Sequence, residues 1–285
     1  MSLSRLRSLL FLPATGGRYF VKAVERGADA LILDLEDSVA PERKEEARHL
    51  AARTARALSD QGASVIVRVN APRDLLELDI ASIPVQAVAG IMLPKVEAGE
   101  DVRYAELLWR RRVSSDLRGV KFIPTIETPK GLLSVAKIAQ SSNNLAAIAF
   151  GSEDFGAAMG IEPTTEALRW PAQQLVIAAS AYGLPAIGLA GSVAGFADVE
   201  AYREVVRASR ALGFAGSVAI HPNQIAILNA GFSPSADQLA WAQRVIEAHR
   251  SATEVGDAVT KVDGLMIDAP IVARARRYVD SVLAS

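Results

Sequence analysis

The chain has 285 residues, half of them hydrophobic, which suits one large α/β unit with a sizeable core. Its 31 Lys and Arg nearly cancel 32 Asp and Glu, so no global field draws it to nucleic acid or to an anionic membrane. The absence of cysteine removes disulfides, thiolate nucleophiles and cysteine-ligated zinc or iron–sulfur sites, and leaves oxygen or histidine ligands for any metal.

The first apolar run, SLLFLP from Ser8, follows basic residues as a signal peptide would. It is shorter than the roughly 7–15 residues of a signal core and has no A-x-A site, so it reads as a strand. No run approaches the ~20 apolar residues that span a bilayer, and a cytoplasmic protein is expected. Seven further runs follow: ALILDLE from Ala30, SVIVRVN from Ser64, VAGIMLPK from Val88, KFIPTIE from Lys121, LAAIAFGSED from Leu145, PAIGLAG from Pro185 and SVAIHPN from Ser217. Continuous apolarity marks strands covered on both faces, and the amphipathic segments between them, clearest over 42–59 and 198–212, mark crossover helices. Eight such units predict an α/β fold of the (β/α)8 TIM-barrel type over residues 1–232.

More than sixty residues follow the eighth run, more than one closing helix needs. The spacing predicts a helix over 235–250, a polar connector over 251–264 and a last amphipathic helix over 265–284. Residues 233–285 are therefore expected as a C-terminal helical extension, packed on a neighbouring subunit or on its own barrel.

In such barrels the chemistry gathers where the strands end. Here those ends carry Asp34, Glu36 and Asp37, then Arg68 and Asn70, Lys95, Glu127, Glu153 and Asp154, and finally His221 and Asn223. Each alone reads equally well as a helix cap or an ion-pair partner, with Asp34–Lys95 and Arg68 to Glu36 or Asp37 as candidate pairs. Glu127 stands out because Thr128-Pro129 keeps the chain extended past it, so a stiff segment presents the carboxylate. Glu127 and Asp154 fall on adjacent strands, where a cation between them relieves their repulsion, and Mg2+ is the economical choice for oxygen ligands. Arg68 suits a substrate carboxylate or a developing enolate. Arg18 and Lys22 form a small basic pair able to meet phosphates, or simply a solvated helix face.

Read together, RSLLFLPATGGRYFVKA, LDLEDSV, VRVN, GIMLPKVE, IETPKG, GSEDFG, AIHPN and GLMIDAPIVARA resemble, in order, the citrate lyase β-subunit-like members of the HpcH/HpaI aldolase/citrate lyase family, over residues 5–280. The resemblance implies an Mg2+-dependent carbon–carbon lyase (an oxo-acid-lyase). It would cleave or form a 3-hydroxyacyl thioester of citryl, malyl or citramalyl type, exchanging it for a keto acid and an acyl-CoA or acyl carrier protein thioester. It also implies a homotrimer or hexamer and, for a true citrate lyase subunit, partner proteins. It assigns Arg68 to substrate, Glu127 to metal and substrate, Asp154 to metal, and Asp268 of the MID-x-P motif to acid–base work in a neighbouring subunit's site. Arg18 and Lys22 would face carrier phosphates. Where many relatives read A-I-D after the seventh strand, this chain has Ala186-Ile187-Gly188. Two other readings stand beside this one: a metal-dependent aldolase releasing pyruvate from free hydroxy-keto acids, and a non-catalytic barrel subunit.

Overall fold

The computed structural model describes residues 3, 5–15, 20, 22–113, 120–254 and 256–283. Eight strands, β1 (Ser8–Pro13), β2 (Ala30–Asp34), β3 (Val65–Arg68), β4 (Gly90–Leu93), β5 (Lys121–Ile126), β6 (Ile148–Phe150), β7 (Ala186–Gly188) and β8 (Ser217–Ala219), pair in parallel in the order β7-β6-β5-β4-β3-β2-β1-β8. The remaining seam closes where the Gly188 N–H donates to the Gly216 carbonyl and the Ala215 N–H to the Ala186 carbonyl, each at 2.8 Å. Closure makes the predicted (β/α)8 barrel and leaves the eight-stranded sheet without an open edge.

Alternation along each strand sorts the side chains. Leu9, Ala30, Ile32, Ile66, Met92, Ile123, Ala149 and Ile187 fill the barrel interior. Leu31, Leu33, Val65, Val67, Ile91, Phe122 and Ile126 face the helices. Both faces are apolar, which is why the runs read as continuous rather than alternating. The expected helix over 42–59 is the helix Lys44–Asp60, entered through a 3-10 turn at Pro41–Arg43. That over 198–212 is Val199–Leu212, capped by the Asp198 side chain accepting from the Ala201 N–H at 3.0 Å.

The chain divides into two compact units, 1–232 and 233–285. In the second, the helices Ala236–Glu254 and Ala269–Leu283 enclose their own small core of Ala242, Val245, Val262, Ile267, Val272 and Ala275. The expected polar connector over 251–264 gives way to helix and hairpin. The first helix runs on to Glu254, and strands β9 (Thr260–Val262) and β10 (Leu265–Ile267) form an antiparallel hairpin. Asp263 (φ 52°) and Gly264 (φ 80°) make its turn, with the two positive φ values that a two-residue hairpin loop requires. Leu265–Ile267 is thus strand, and the last helix begins only at Ala269.

Candidate active site

The strand register brings the charged ends together. Asp34 on β2 pairs in register with Arg68 on β3, so the two side chains leave the same face one strand apart. Arg68 grips Asp34 with both arms, Nε to Oδ1 at 2.7 Å and Nη2 to Oδ2 at 2.8 Å. Its third nitrogen, Nη1, lies 3.0 Å from Glu36 Oε2, at an angle that makes an ion pair but no hydrogen bond, and 3.3 Å from Asp37 Oδ2. The guanidinium also lies over the Phe11 ring, 4.7 Å from its centroid. Burial raises the Asp34 carboxyl, but Arg68 and the N–H groups of Ser38 and Glu36 outweigh it and hold the group below the usual carboxylate range. The expected Asp34–Lys95 pair does not form. Lys95 Nζ instead meets Glu36 Oε1 at 2.7 Å, and burial still leaves the Glu36 carboxyl raised. The pairing of Arg68 with Glu36 and Asp37 is present, with Asp34 as its stronger partner.

Glu127 directly follows β5. Thr128 is extended (φ −133°, ψ 154°), and its hydroxyl oxygen accepts from the Gly131 N–H to start the helix Pro129–Leu133. The main-chain N–H of Lys95, itself at φ 53°, donates to Glu127 Oε2 at 2.6 Å. Glu127 is only 4% exposed. Burial, then the neighbouring charges of Glu36 and Asp154, push its carboxyl up to about 8. Gly151, on the adjacent chain, leaves the space this side chain needs: a Cβ there would stand 2.5 Å from Glu127 Cγ. Asp154 lies exposed in the first turn of the helix Ser152–Met159.

Asp34, Asp37, Arg68, Glu127, Glu153 and Asp154 all line one cavity of about 440 Å3 at the strand ends. The carboxyl groups of Asp34, Glu36, Asp37, Glu127 and Asp154 outnumber the cations Arg68, Lys95 and Lys44, so the mouth is short of positive charge. A divalent cation fits that imbalance. Lys95 occupies one Glu127 oxygen, leaving Oε1 and the Asp154 carboxylate as donors. Among the described residues no three His, Cys, Asp or Glu side chains form a ligand cluster. Two carboxylates completed by substrate oxygens and waters are an arrangement that Mg2+ accepts.

Other expected mouth residues are employed elsewhere. Asn70 turns away to bind Asp79 Oδ2 through its N–H (2.8 Å) and Nδ2 (2.7 Å), with Arg48 on the other Asp79 oxygen at 2.7 Å, tying the early crossover helices together. The Asn223 N–H donates to His221 Nδ1, and the His221 ring stacks on Phe196 at 4.7 Å. Glu153 Oε1 accepts from the Ser192 hydroxyl (2.6 Å) and the Val193 N–H (3.0 Å), so it shapes the loop after β7. Gln224, fully buried, accepts from the N–H groups of Ile220 and His221 and donates to the Val193 carbonyl. In the sequence Gln224 carries no distinctive signal, being an amide five residues beyond the end of β8. Lys22 is exposed, and Arg18 lies outside the described residues. Asp268 belongs to the second unit, where its carboxylate accepts from the Ile271 N–H at 3.3 Å as a helix cap.

The pattern of the HpcH/HpaI aldolase/citrate lyase family matches residues 7–222. The chain belongs to this family. A mitochondrial citramalyl-CoA lyase from Homo sapiens is 32% identical over 96% of this chain and 84% of its own length. The L-malyl-CoA/β-methylmalyl-CoA lyase of Cereibacter sphaeroides is 30% identical over 94% of this chain and 92% of its own. Among solved structures, CitE from Mycobacterium tuberculosis in complex with magnesium, acetoacetate and coenzyme A is similar at a TM-score of 0.75 and 29% identity, covering 97% of this chain and 98% of that one. As a family member the chain falls among carbon–carbon lyases of the aldolase and citrate lyase kind.

Proposed function

We propose that this protein is a Mg2+-dependent lyase that cleaves, or in reverse forms, a 3-hydroxyacyl-CoA of malyl, citramalyl or citryl type, exchanging it for a keto acid and an acyl-CoA. The observation that carries the reading is the buried Glu127 carboxylate, raised to about 8 beside Asp154 in a cavity short of cations. Relatives over nearly the whole chain act on citramalyl-CoA and malyl-CoA.

Glu127 and Asp154 would hold the metal, which when bound supplies a Lewis acid and a template for the hydroxy-acid end of the substrate. Cleavage turns the C3 hydroxyl into the carbonyl of the keto acid as its proton leaves, and the electrons of the broken C–C bond pass to the thioester as an enolate. That enolate is the costly species. Arg68 is fixed from behind by Asp34, and its Nη1 lies 3.0 Å from the buried Glu36 and 3.3 Å from the exposed Asp37. The exposed Asp37 pair holds weakly, so this edge of the guanidinium can exchange Asp37 for an enolate oxygen while Asp34 and Glu36 hold the group in place. Asp268 is assigned the proton that converts the enolate to the acyl thioester; its support is the MID-x-P motif. Lys22, with Arg18, is assigned to the carrier phosphates, and the assembly to a homotrimer or hexamer. A monomer in sedimentation velocity would remove that last assignment.

The test is cleavage of malyl-, citramalyl- and citryl-CoA by purified variants. Glu127→Ala and Asp154→Ala are expected to lose cleavage and Mg2+ binding while keeping the far-UV circular dichroism of the wild type. Asp268→Asn should slow turnover with Mg2+ affinity unchanged. Full activity in either metal-site variant would sink the site assignment, and unaltered kcat in Asp268→Asn would remove the proposed acid.

A further inference from the structure

The Thr125 side chain has no assigned role, yet it occupies a telling position. It lies on β5 two residues before Glu127, so strand alternation puts both on the inward face. It lines the same cavity, is 6% exposed, and its hydroxyl has no hydrogen-bond partner among the described residues. A buried hydroxyl without a partner costs stability, and such an atom in a cavity wall points to a ligand that completes it. The neighbouring wall is apolar, with Met92, Ala149, Ile187 and Val218.

Size decides which part of the substrate reaches this wall. A carrier as large as coenzyme A cannot enter a cavity of about 440 Å3, so the thioester half must leave through the mouth. The half that goes inward is the hydroxy-acid end, which becomes the keto acid and which Glu127 anchors.

We infer that the Thr125 hydroxyl donates a hydrogen bond to an oxygen of the keto-acid half of the substrate, making Thr125 a specificity-determining residue beside the metal site. This rests on the lyase reading above. The apolar neighbours favour a keto acid with an uncharged substituent over one that brings a second carboxylate to this wall. Thr125→Val keeps the shape and deletes the donor, and Thr125→Ser restores it.

The probe is pyruvate, titrated calorimetrically into protein saturated with Mg2+, with acetyl-CoA titrated separately. Thr125→Val is expected to weaken pyruvate about tenfold, the scale of one lost hydrogen bond in a dry site, and to leave acetyl-CoA affinity unchanged. Thr125→Ser should bind pyruvate within about twofold of wild type. The ligand-free Thr125→Val protein should melt no lower than wild type, because the deleted hydroxyl has no partner to lose. If Thr125→Val does not fold, Thr125→Ala against Thr125→Ser gives the same comparison. Equal pyruvate affinity in the valine and wild-type proteins overturns the inference and leaves the lyase reading standing. Failure of the wild type to bind any keto acid with Mg2+ overturns both.

Discussion

At Glu127, burial and like charge act in the same direction, and the consequence is a measurable pH dependence. Its carboxyl stands at about 8 in the folded protein against an ordinary value of 4.5. The folded-state value is raised, so the stability this group contributes is fully present below about pH 4.5 and is lost as pH rises through about 8. Without metal, Glu127→Gln should therefore unfold with a flatter pH profile than wild type and be the more stable protein near pH 9. Mg2+ must displace the proton, so its affinity should rise about tenfold per pH unit up to pH 7 and level off above 8. Calorimetry across that range reads the slope. A flat profile would show that Glu127 is already ionised and that its neighbours offset one another. Glu127 was legible in the sequence because an apolar run stops at a carboxylate held by Thr-Pro. Thr125 was not, because it sits inside the apolar run KFIPTIE and its lack of a hydrogen-bond partner shows only in the folded chain. Glu153 was legible only as a mouth residue. That its carboxylate shapes the loop after β7 depends on contacts some forty residues apart, which no local pattern encodes.

The barrel strands were legible at the scale of elements because parallel strands between helices leave an unbroken apolar run. Which face of each strand looks inward was not, since both faces are apolar. The pairing of Asp34 with Arg68 follows from the β2–β3 register, which is set by closure of the whole sheet rather than by either segment. The hairpin β9–β10 is not legible although Val262-Asp263-Gly264-Leu265 carries the Asp-Gly signal of a two-residue turn, because three-residue strands show no alternation of their own. On β7, the Gly188 that departs from the A-I-D pattern has a backbone conformation that favours glycine. At φ 143° a Cβ there would stand 2.8 Å from the Phe150 carbonyl oxygen of β6. Gly188→Ala is expected to cost roughly 1–3 kcal/mol of stability, read as a lower urea midpoint. A midpoint equal to wild type would show that β7 relaxes at no cost.

For the whole molecule, the eight strand ends converge on one mouth that combines an acid-rich rim with an apolar interior. This pairing suits a small charged acid held by metal and a carrier kept outside. The division at Phe232 gives the second unit, which carries Asp268, a core of its own. If Glu127 and Asp154 hold the magnesium needed to cleave an acyl-CoA thioester, acyl-CoA release from malyl-, citramalyl- and citryl-CoA by the wild-type protein, measured first in Mg2+, then in excess EDTA, then with Mg2+ restored, must follow the metal. Turnover of at least one thioester is expected in Mg2+, none in EDTA, and recovery when the metal returns. Turnover undiminished by EDTA, or cleavage of free hydroxy-keto acids with no thioester cleaved, would contradict this expectation.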